Sequence, residues 1–205
     1  MTKGIVSGVV SNMVTLRVDG PVLQGEICYI TTGGDRLMAE VIKVVGSDVY
    51  VQVFESTRGL KVGSQAEFTG HQLEIQLGPG MLSKNYDGLQ NDLDKMDGVF
   101  LRRGQYTAPL DEDRLWDFEP IVKAGDRVQG SDWLGKVEEN HQPLKIMAPF
   151  QMEGTAVVKS IVPAGQYKVN DTIAVLTTEA GEDINVTTVQ HWPVKFPMTN
   201  AVEKP

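Results

Sequence analysis

Met13-Val14-Thr15-Leu16-Arg17-Val18 alternates without a break. Val14, Leu16 and Val18 fall on one face of an extended chain, and Met13, Thr15 and Arg17 on the other; a helix would scatter them around its circumference. Val49-Tyr50-Val51-Gln52-Val53-Phe54 repeats the pattern, with its valines all facing one way. Working outward, the same reading predicts strands at Gly4–Val10, Met13–Val18, Glu26–Thr31, Met38–Val45, Asp48–Phe54 and Ala66–Phe68. Turns are expected at Asp19-Gly20-Pro21, Gly33-Gly34-Asp35 and Gly46-Ser47-Asp48, where glycine and aspartate tolerate positive φ. Six short strands in this space predict a small closed N-terminal β-barrel over residues 1–70, because closure removes exposed edges.

The rest of the chain keeps that character. Its 205 residues include 26 valines, 21 glycines and 10 prolines, a composition that points to an all-β protein rich in turns. Apolar residues make up 41% and charged residues 22%, a balance that excludes wholesale disorder. No apolar run approaches the ~20 residues of a membrane-crossing helix, and no direct membrane insertion is expected. Met1 to Ser7 runs straight into strand-like sequence, with no leader peptide expected. The formal charge of −8 disfavours a nucleic-acid partner. Cys28 has no intrachain partner and is expected as a small buried hydrophobe in a cytosolic protein.

Residues 71–104 differ and are expected as a connector. Leu77-Gly78-Pro79-Gly80 is a sharp break, and Asp87–Met96 has weak helical spacing at Leu89, Leu93 and Met96, so one short helix is expected there. Leu101-Arg102-Arg103-Gly104 begins a second unit, taken as 105–189, followed by a return strand over 190–205. This unit contains a repeat. Ile121-Val122-Lys123-Ala124-Gly125-Asp126 and Ile161-Val162-Pro163-Ala164-Gly165-Gln166 agree at four of six positions at a shift of 40, and at a shift of 39 Asp132 meets Asp171, Leu134 meets Ile173 and Val137 meets Leu176. Two such halves, packed about a pseudo-dyad, would bury apolar faces that neither half could bury alone.

Over Ile121 to Thr178 this pattern resembles the barrel-sandwich hybrid of lipoyl and biotinyl carrier domains. Those carriers present a modified lysine at the tip between halves. Here the tip is expected near Asn140-His141-Gln142-Pro143, which has no lysine. Lys145 lies beyond it, at the start of the returning strand, and is expected as a surface strand lysine.

No catalytic, cofactor-binding or metal-binding residue is assigned. The P-loop pattern G-x-x-x-x-G-K-[ST] is absent. Gly78-Pro79-Gly80-Met81-Leu82-Ser83-Lys84 has the wrong spacing, and Pro79 removes an amide that a phosphate nest needs. Arg58-Gly59-Leu60-Lys61-Val62-Gly63 sits in a turn with no following helix to receive an anion. His71, His141 and His191 lack metal-ligand spacing. Asp111-Glu112-Asp113, Glu138-Glu139 and Glu182-Asp183 are expected as solvated loops and turns. Trp116, Trp133 and Trp192 are expected as packing anchors. Arg102-Arg103 is the only adjacent basic pair, too little for an oligonucleotide groove.

Several segments in order resemble the catalytic A subunit of V-type and archaeal-type rotary ATPases. Met38-Ala39-Glu40-Val41-Ile42-Lys43 and Val51–Leu60 are similar to that family's GEVI strand and its IQVYE-x-T-x-GL strand and turn. Thr69–Gly80 is similar to TG-x-x-L-S-V-E-LGPG, Tyr86-Asp87-Gly88-Leu89-Gln90 to FDGIQ, and Phe100–Gly104 to F-x-x-RG. Gly125–Val128, Leu134–Glu139 and Lys145–Pro149 resemble its bulge, or non-homologous region, and Gln190–Lys195 its QKWPV strand. Asn91-Asp92-Leu93 departs from R-P-L, and Phe196-Pro197-Met198 from x-P-R-P, which implies a divergent bacterial branch.

The resemblance implies the following. The chain is an N-terminal fragment carrying barrel and bulge, with the P-loop and catalytic glutamate of the parent falling beyond Pro205. The parent hydrolyses ATP with Mg2+, coupled to H+ or Na+ transport, on the cytoplasmic side of a membrane and peripheral to it. The fragment itself would be inactive. Its partners would be the B subunits of an alternating ring, met through the barrel, and the peripheral stalk, met through the bulge. A biotinyl- or lipoyl-like carrier module and a free-standing β scaffold are the competing readings.

Overall fold

A computed structural model describes residues 1–96, 98 and 102–196. Phe100 and Leu101 of the F-x-x-RG segment, and Pro197 and Met198 of the ending, lie outside the described residues. The chain divides into two compact units. The first comprises Met1–Glu74, Lys95–Thr107 and Pro193–Lys195; the second comprises Ile75–Asp94, Ala108–Trp192 and the residues from Phe196 onward. The expected connector 71–104 is thus shared between them.

The first unit is the predicted barrel. β1 (Lys3–Val10), β2 (Met13–Val18), β3 (Glu26–Thr32), β4 (Asp35–Val45), β5 (Asp48–Val53) and β6 (Gln65–Gln72) close in the order β1-β2-β5-β4-β3-β6, antiparallel throughout. The alternating side chains do what their spacing dictates. Val14 and Leu16 of β2, and Val49, Val51 and Val53 of β5, point into a core shared with Val6, Cys28, Ile30, Leu37, Ala39, Val41, Ala66 and Phe68. At the β3–β4 turn Gly33 and Gly34 both take positive φ, 58° and 94°, which two-residue hairpin turns of this hand require. β4 is longer than its neighbour β5: their pairing begins at Ala39, and the Phe54 N–H just beyond β5 still donates to the Met38 carbonyl at 3.1 Å, so Asp35–Leu37 overhangs.

The second unit holds two four-stranded sheets. Its strands are β7 (Glu74–Leu77), β8 (Trp116–Pro120), β9 (Arg127–Gln129), β10 (Trp133–Glu139), β11 (Gln142–Met147), β12 (Thr155–Ile161), β13 (Gly165–Tyr167), β14 (Ala174–Thr178), β15 (Asp183–Val186) and β16 (Gln190–Pro193), save that Glu74 and Pro193, the end residues of β7 and β16, are counted with the first unit. One sheet runs β11-β10-β8-β13, the other β15-β14-β12-β9, and β16 pairs with β7 separately. β8, β10 and β11 of the first half therefore correspond to β12, β14 and β15 of the second. The short strands β9 and β13 are exchanged, each completing the other half's sheet.

The repeat in sequence is a repeat in bonding. The Gln129 N–H donates to Asp132 Oδ2 at 2.8 Å and the Lys168 N–H to Asp171 Oδ2 at 2.8 Å, the same turn in each half. Leu134 and Ile173 are both fully buried, and each crosses over. Leu134 packs with Val128, Ala156, Val158 and Leu176, whereas Ile173 packs with Trp116, Phe118, Val137 and Ile146.

Two expectations need correction. Asn140-His141 is the turn of the β10–β11 hairpin, inside the first half, with φ of 49° and 62°. The halves instead join over Ala148–Gly154, between β11 and β12. The repeat alone does not mark the junction, because β9 and β13 are exchanged between the two sheets. The connector's expected short helix is a single 3-10 turn, Leu93–Lys95.

Candidate functional site

The side chains that could carry chemistry are mostly occupied in holding the fold. Cys28 is fully buried in the barrel, and burial, reinforced by Glu26, pushes its thiol up to about 12, so it is unreactive while folded. Glu26 accepts the Leu23 N–H at 2.9 Å and the Gly70 N–H at 2.8 Å, a clasp across the barrel rim. His71 lies 3.6 Å from Glu74, and the exposed His141 lies 3.4 Å from Glu138. Among the described residues no three His, Cys, Asp or Glu side chains are grouped to hold a metal.

The acidic runs divide. Asp111 Oδ1 accepts the Asp113 and Arg114 N–H groups at 3.1 and 3.3 Å, and Asp113 pairs with Lys168 at 2.7 Å, which holds its carboxyl below the usual range. Asp183 is likewise lowered, first by its bond from Lys159 and then by Thr177. Glu139 departs from the solvated expectation: it is buried and accepts the Leu82 N–H at 3.0 Å. Trp116 is buried in the sandwich core. Trp133 is more exposed and carries the Lys145 ammonium 4.3 Å above its ring. Trp192 meets Phe150 edge-on at 5.6 Å.

The Gly78–Lys84 stretch does not fit a nucleotide phosphate. A Cβ on Gly78 would stand 2.9 Å from Val189, one on Gly80 3.4 Å from Trp116, and the Lys84 ammonium is 3.2 Å from the buried Asp92 carboxylate. These glycines permit close packing, and the lysine neutralises an interior charge.

The segments that carry the family resemblance prove to be fastenings. In Tyr86–Gln90, Asp87 Oδ1 accepts the Leu89 and Asn91 N–H groups at 2.9 and 2.8 Å. The Gln90 amide accepts the Gln76 N–H and donates to the Gln76 carbonyl, both at 2.7 Å, imitating a strand partner for β7. Tyr86 donates to the Pro109 carbonyl at 2.8 Å. Gln190 accepts the Phe150 N–H at 3.0 Å and donates to the Met147 carbonyl at 3.1 Å, which ties down the junction between halves.

Sequence reasoning missed a set of polar fastenings on the barrel, made by Asp35, Glu40, Glu55, Arg103, Tyr106 and Lys195. Arg103 donates to Asp35 Oδ2 from Nε at 3.0 Å and from Nη2 at 2.5 Å. The Gly104 N–H donates to Glu55 at 3.1 Å, and the Tyr106 hydroxyl accepts the Met38 N–H at 2.8 Å. Burial, with the Glu55 charge second, raises the Tyr106 hydroxyl far above its ordinary range. Lys195 pairs with Glu40. The only signal available in sequence was that Glu40, Glu55, Arg103 and Lys195 fall inside the segments of family likeness.

Two protein-family models match. Residues 6–70 match the ATP synthase alpha/beta family, beta-barrel domain, and residues 107–195 match the ATPsynthase alpha/beta subunit barrel-sandwich domain. Among curated proteins, the V-type ATP synthase alpha chain of Borreliella burgdorferi (strain ZS7) is 43% identical over 99% of this chain and 36% of its own length. That of Borrelia duttonii (strain Ly) is 45% identical over 97% of this chain and 35% of its own, and that of Borrelia turicatae (strain 91E135) is 44% identical over 97% and 35%. The chain thus spans about a third of the length of these relatives. The barrel, the sandwich and the order of both along the chain place it with the ATP synthase alpha/beta family, and it resembles the barrel and barrel-sandwich portion of V-type ATP synthase alpha chains.

Proposed function

We propose that this chain is the non-catalytic framework of the ATP-hydrolysing alpha (A) subunit of a V-type, ion-translocating rotary ATPase. Its barrel takes part in closing a ring with B subunits, and its sandwich contacts the peripheral stalk. The observation that carries this reading is the ordered match of barrel 6–70 and sandwich 107–195 to one family, with identity to V-type alpha chains of 43% and more across nearly the whole chain. The division into barrel (1–70), connector (71–104), bulge (105–189) and return strand (190–205) belongs to the same reading. ATP and Mg2+ would be held by parts of the parent outside this sequence, and the parent would sit at the cytoplasmic face of a membrane, peripheral to it. Among the described residues no helix is long and apolar enough to cross a membrane.

The physical logic is that of a scaffold. A closed barrel has no free edge and keeps its shape while neighbouring parts open and close. A sandwich of exchanged strands resists being pulled into halves. The test is deletion of the inserted sandwich, residues 108–192, from the assembled parent enzyme. ATP hydrolysis is expected to stay largely intact while ion transport per ATP, or retention of the stalk, falls. Loss of nucleotide binding on that deletion would overturn the assignment. Intact mass separates it from a carrier module, which would show a covalent addition on a lysine.

A further inference from the structure

After a first, shorter excursion over Ile75–Asp94, the chain leaves the barrel unit again after Thr107 and returns to it at Pro193. Both flanking segments, which belong to the barrel unit, are fastened to the same strand. On the outgoing side Arg103 forks onto Asp35, the first residue of β4. Its Nη1 also reaches the Ser56 carbonyl at 3.3 Å and the Arg58 carbonyl. Gly104 has φ of 71°, and a Cβ there would stand 3.1 Å from the Cβ of Asp35 and 3.2 Å from the backbone nitrogen of Arg36. The segment therefore lies directly on the β4 overhang that β5 leaves uncovered. Tyr106 fills the next ladder position by accepting the Met38 N–H, and its ring meets Tyr29 edge-on at 5.9 Å. On the returning side the Val194 N–H donates to the Leu73 carbonyl at 3.0 Å, and Lys195 pairs with Glu40, a largely buried carboxylate of β4.

We infer that β4 is a mechanical anchor: Asp35 and Met38 hold the outgoing segment through Arg103 and Tyr106, Glu40 holds the returning segment through Lys195, and force received by residues 108–192 is thereby delivered to the closed barrel. The functional sense of this inference rests on the proposed stalk contact; the anchor itself does not. Two ends tied to one strand move together, whereas ends tied to separate elements could be drawn apart. The fork of Arg103 suits this use, because a planar bidentate donor fixes orientation as well as distance. Glu40 suits it because a mostly buried carboxylate keeps its cation.

Hydrogen exchange on the 205-residue chain tests the anchor. In Arg103→Met the Gly104 and Met38 amides are expected to exchange at least tenfold faster, and in Lys195→Met the Val194 amide does so, while Val51 of the barrel and Val158 of the sandwich are unchanged. Arg103→Lys, which keeps charge but loses the fork, falls between. Less than a twofold change at the named amides, or an equal rise across all barrel amides, overturns the inference. In the assembled ATPase the double variant is expected to keep hydrolysis within twofold and to lose at least half of the ions moved per ATP. If deleting residues 108–192 leaves transport per ATP unchanged, the stalk reading fails while the exchange result still decides the anchor. If that deletion uncouples and the double variant does not, the anchor fails alone.

Discussion

The ring of Phe118 occupies the place where a side chain on Gly135 would begin. A Cβ built on Gly135 stands 2.3 Å from Phe118 Cε2, 2.4 Å from its Cζ and 2.8 Å from the Glu119 carbonyl oxygen. The backbone at Gly135 does not take positive φ, so space alone requires glycine there. β8 and β10 pair with Val137 opposite Phe118, and the ring lies along the adjoining strand because position 135 is empty.

Gly135→Ala is expected to destabilise the second unit by about 2–3 kcal/mol, the cost of overpacking a filled core. Phe118→Leu in the same chain should recover part of that loss by clearing the space. Urea unfolding followed by Trp116 fluorescence measures both. An alanine variant as stable as the parent would mean that the ring moves aside freely.

Phe68 is the largest fully buried side chain of the barrel core. Phe68→Ala should cost about 3–5 kcal/mol. Exchange protection at Val14 and Val51 should fall with it, while protection at Val158 in the other unit is retained.

Gln90→Glu replaces the donor of a buried amide that satisfies both backbone groups of Gln76. The Gln76 carbonyl then loses its partner, and a loss of about 1–3 kcal/mol is expected. Gln90→Leu, of similar volume, tests the alternative that shape alone matters: it should be at least as damaging. Chemical denaturation of each variant gives the comparison.

The raised Cys28 thiol sets a stability limit in base. Its folded pKa, about 12, lies above the ordinary 9.0. The unfolded chain therefore gives up the proton first as pH rises. The stabilisation is fully present below about pH 9 and is lost progressively towards pH 12. The urea midpoint of the parent should drop between pH 8 and 10.5 by more than that of Cys28→Ala. Thiol labelling at pH 8 should require unfolding.

Lys159 lowers the exposed Asp183 carboxyl by direct hydrogen bonding. Lys159→Met should move that carboxyl up towards the ordinary 3.8, seen by NMR titration of Asp183. Because the folded value is lowered in the parent, the associated stability is present above the ordinary value and lost as pH falls through the folded one.

What the sequence made legible was the part written in short-range order. Alternation at Val14–Leu16–Val18 and Val49–Val51–Val53 located barrel strands to within a few residues, because a period of two has no other cheap solution. The 39-to-40-residue recurrence located both halves of the sandwich, down to the matched Asp132 and Asp171 turns. What stayed hidden depended on distant partners. Nothing local says that β9 and β13 change sheets, so the junction was placed at Asn140-His141 instead of Ala148–Gly154. Nothing local says that Glu139 is buried beside a solvated Glu138, or that Arg103 and Lys195 meet Asp35 and Glu40 across 68 and 155 residues.

The exchanged strands carry a consequence for synthesis. As the chain emerges from the ribosome, β8 has no neighbour on one side until Gly165–Tyr167 has been made, though β10 and β11 are ready some twenty residues earlier. The first half must wait with a bare flank, and such a flank invites pairing with a nascent copy alongside. Slow translation between Met147 and Tyr167 should therefore favour intertwined dimers, and fast translation the monomer.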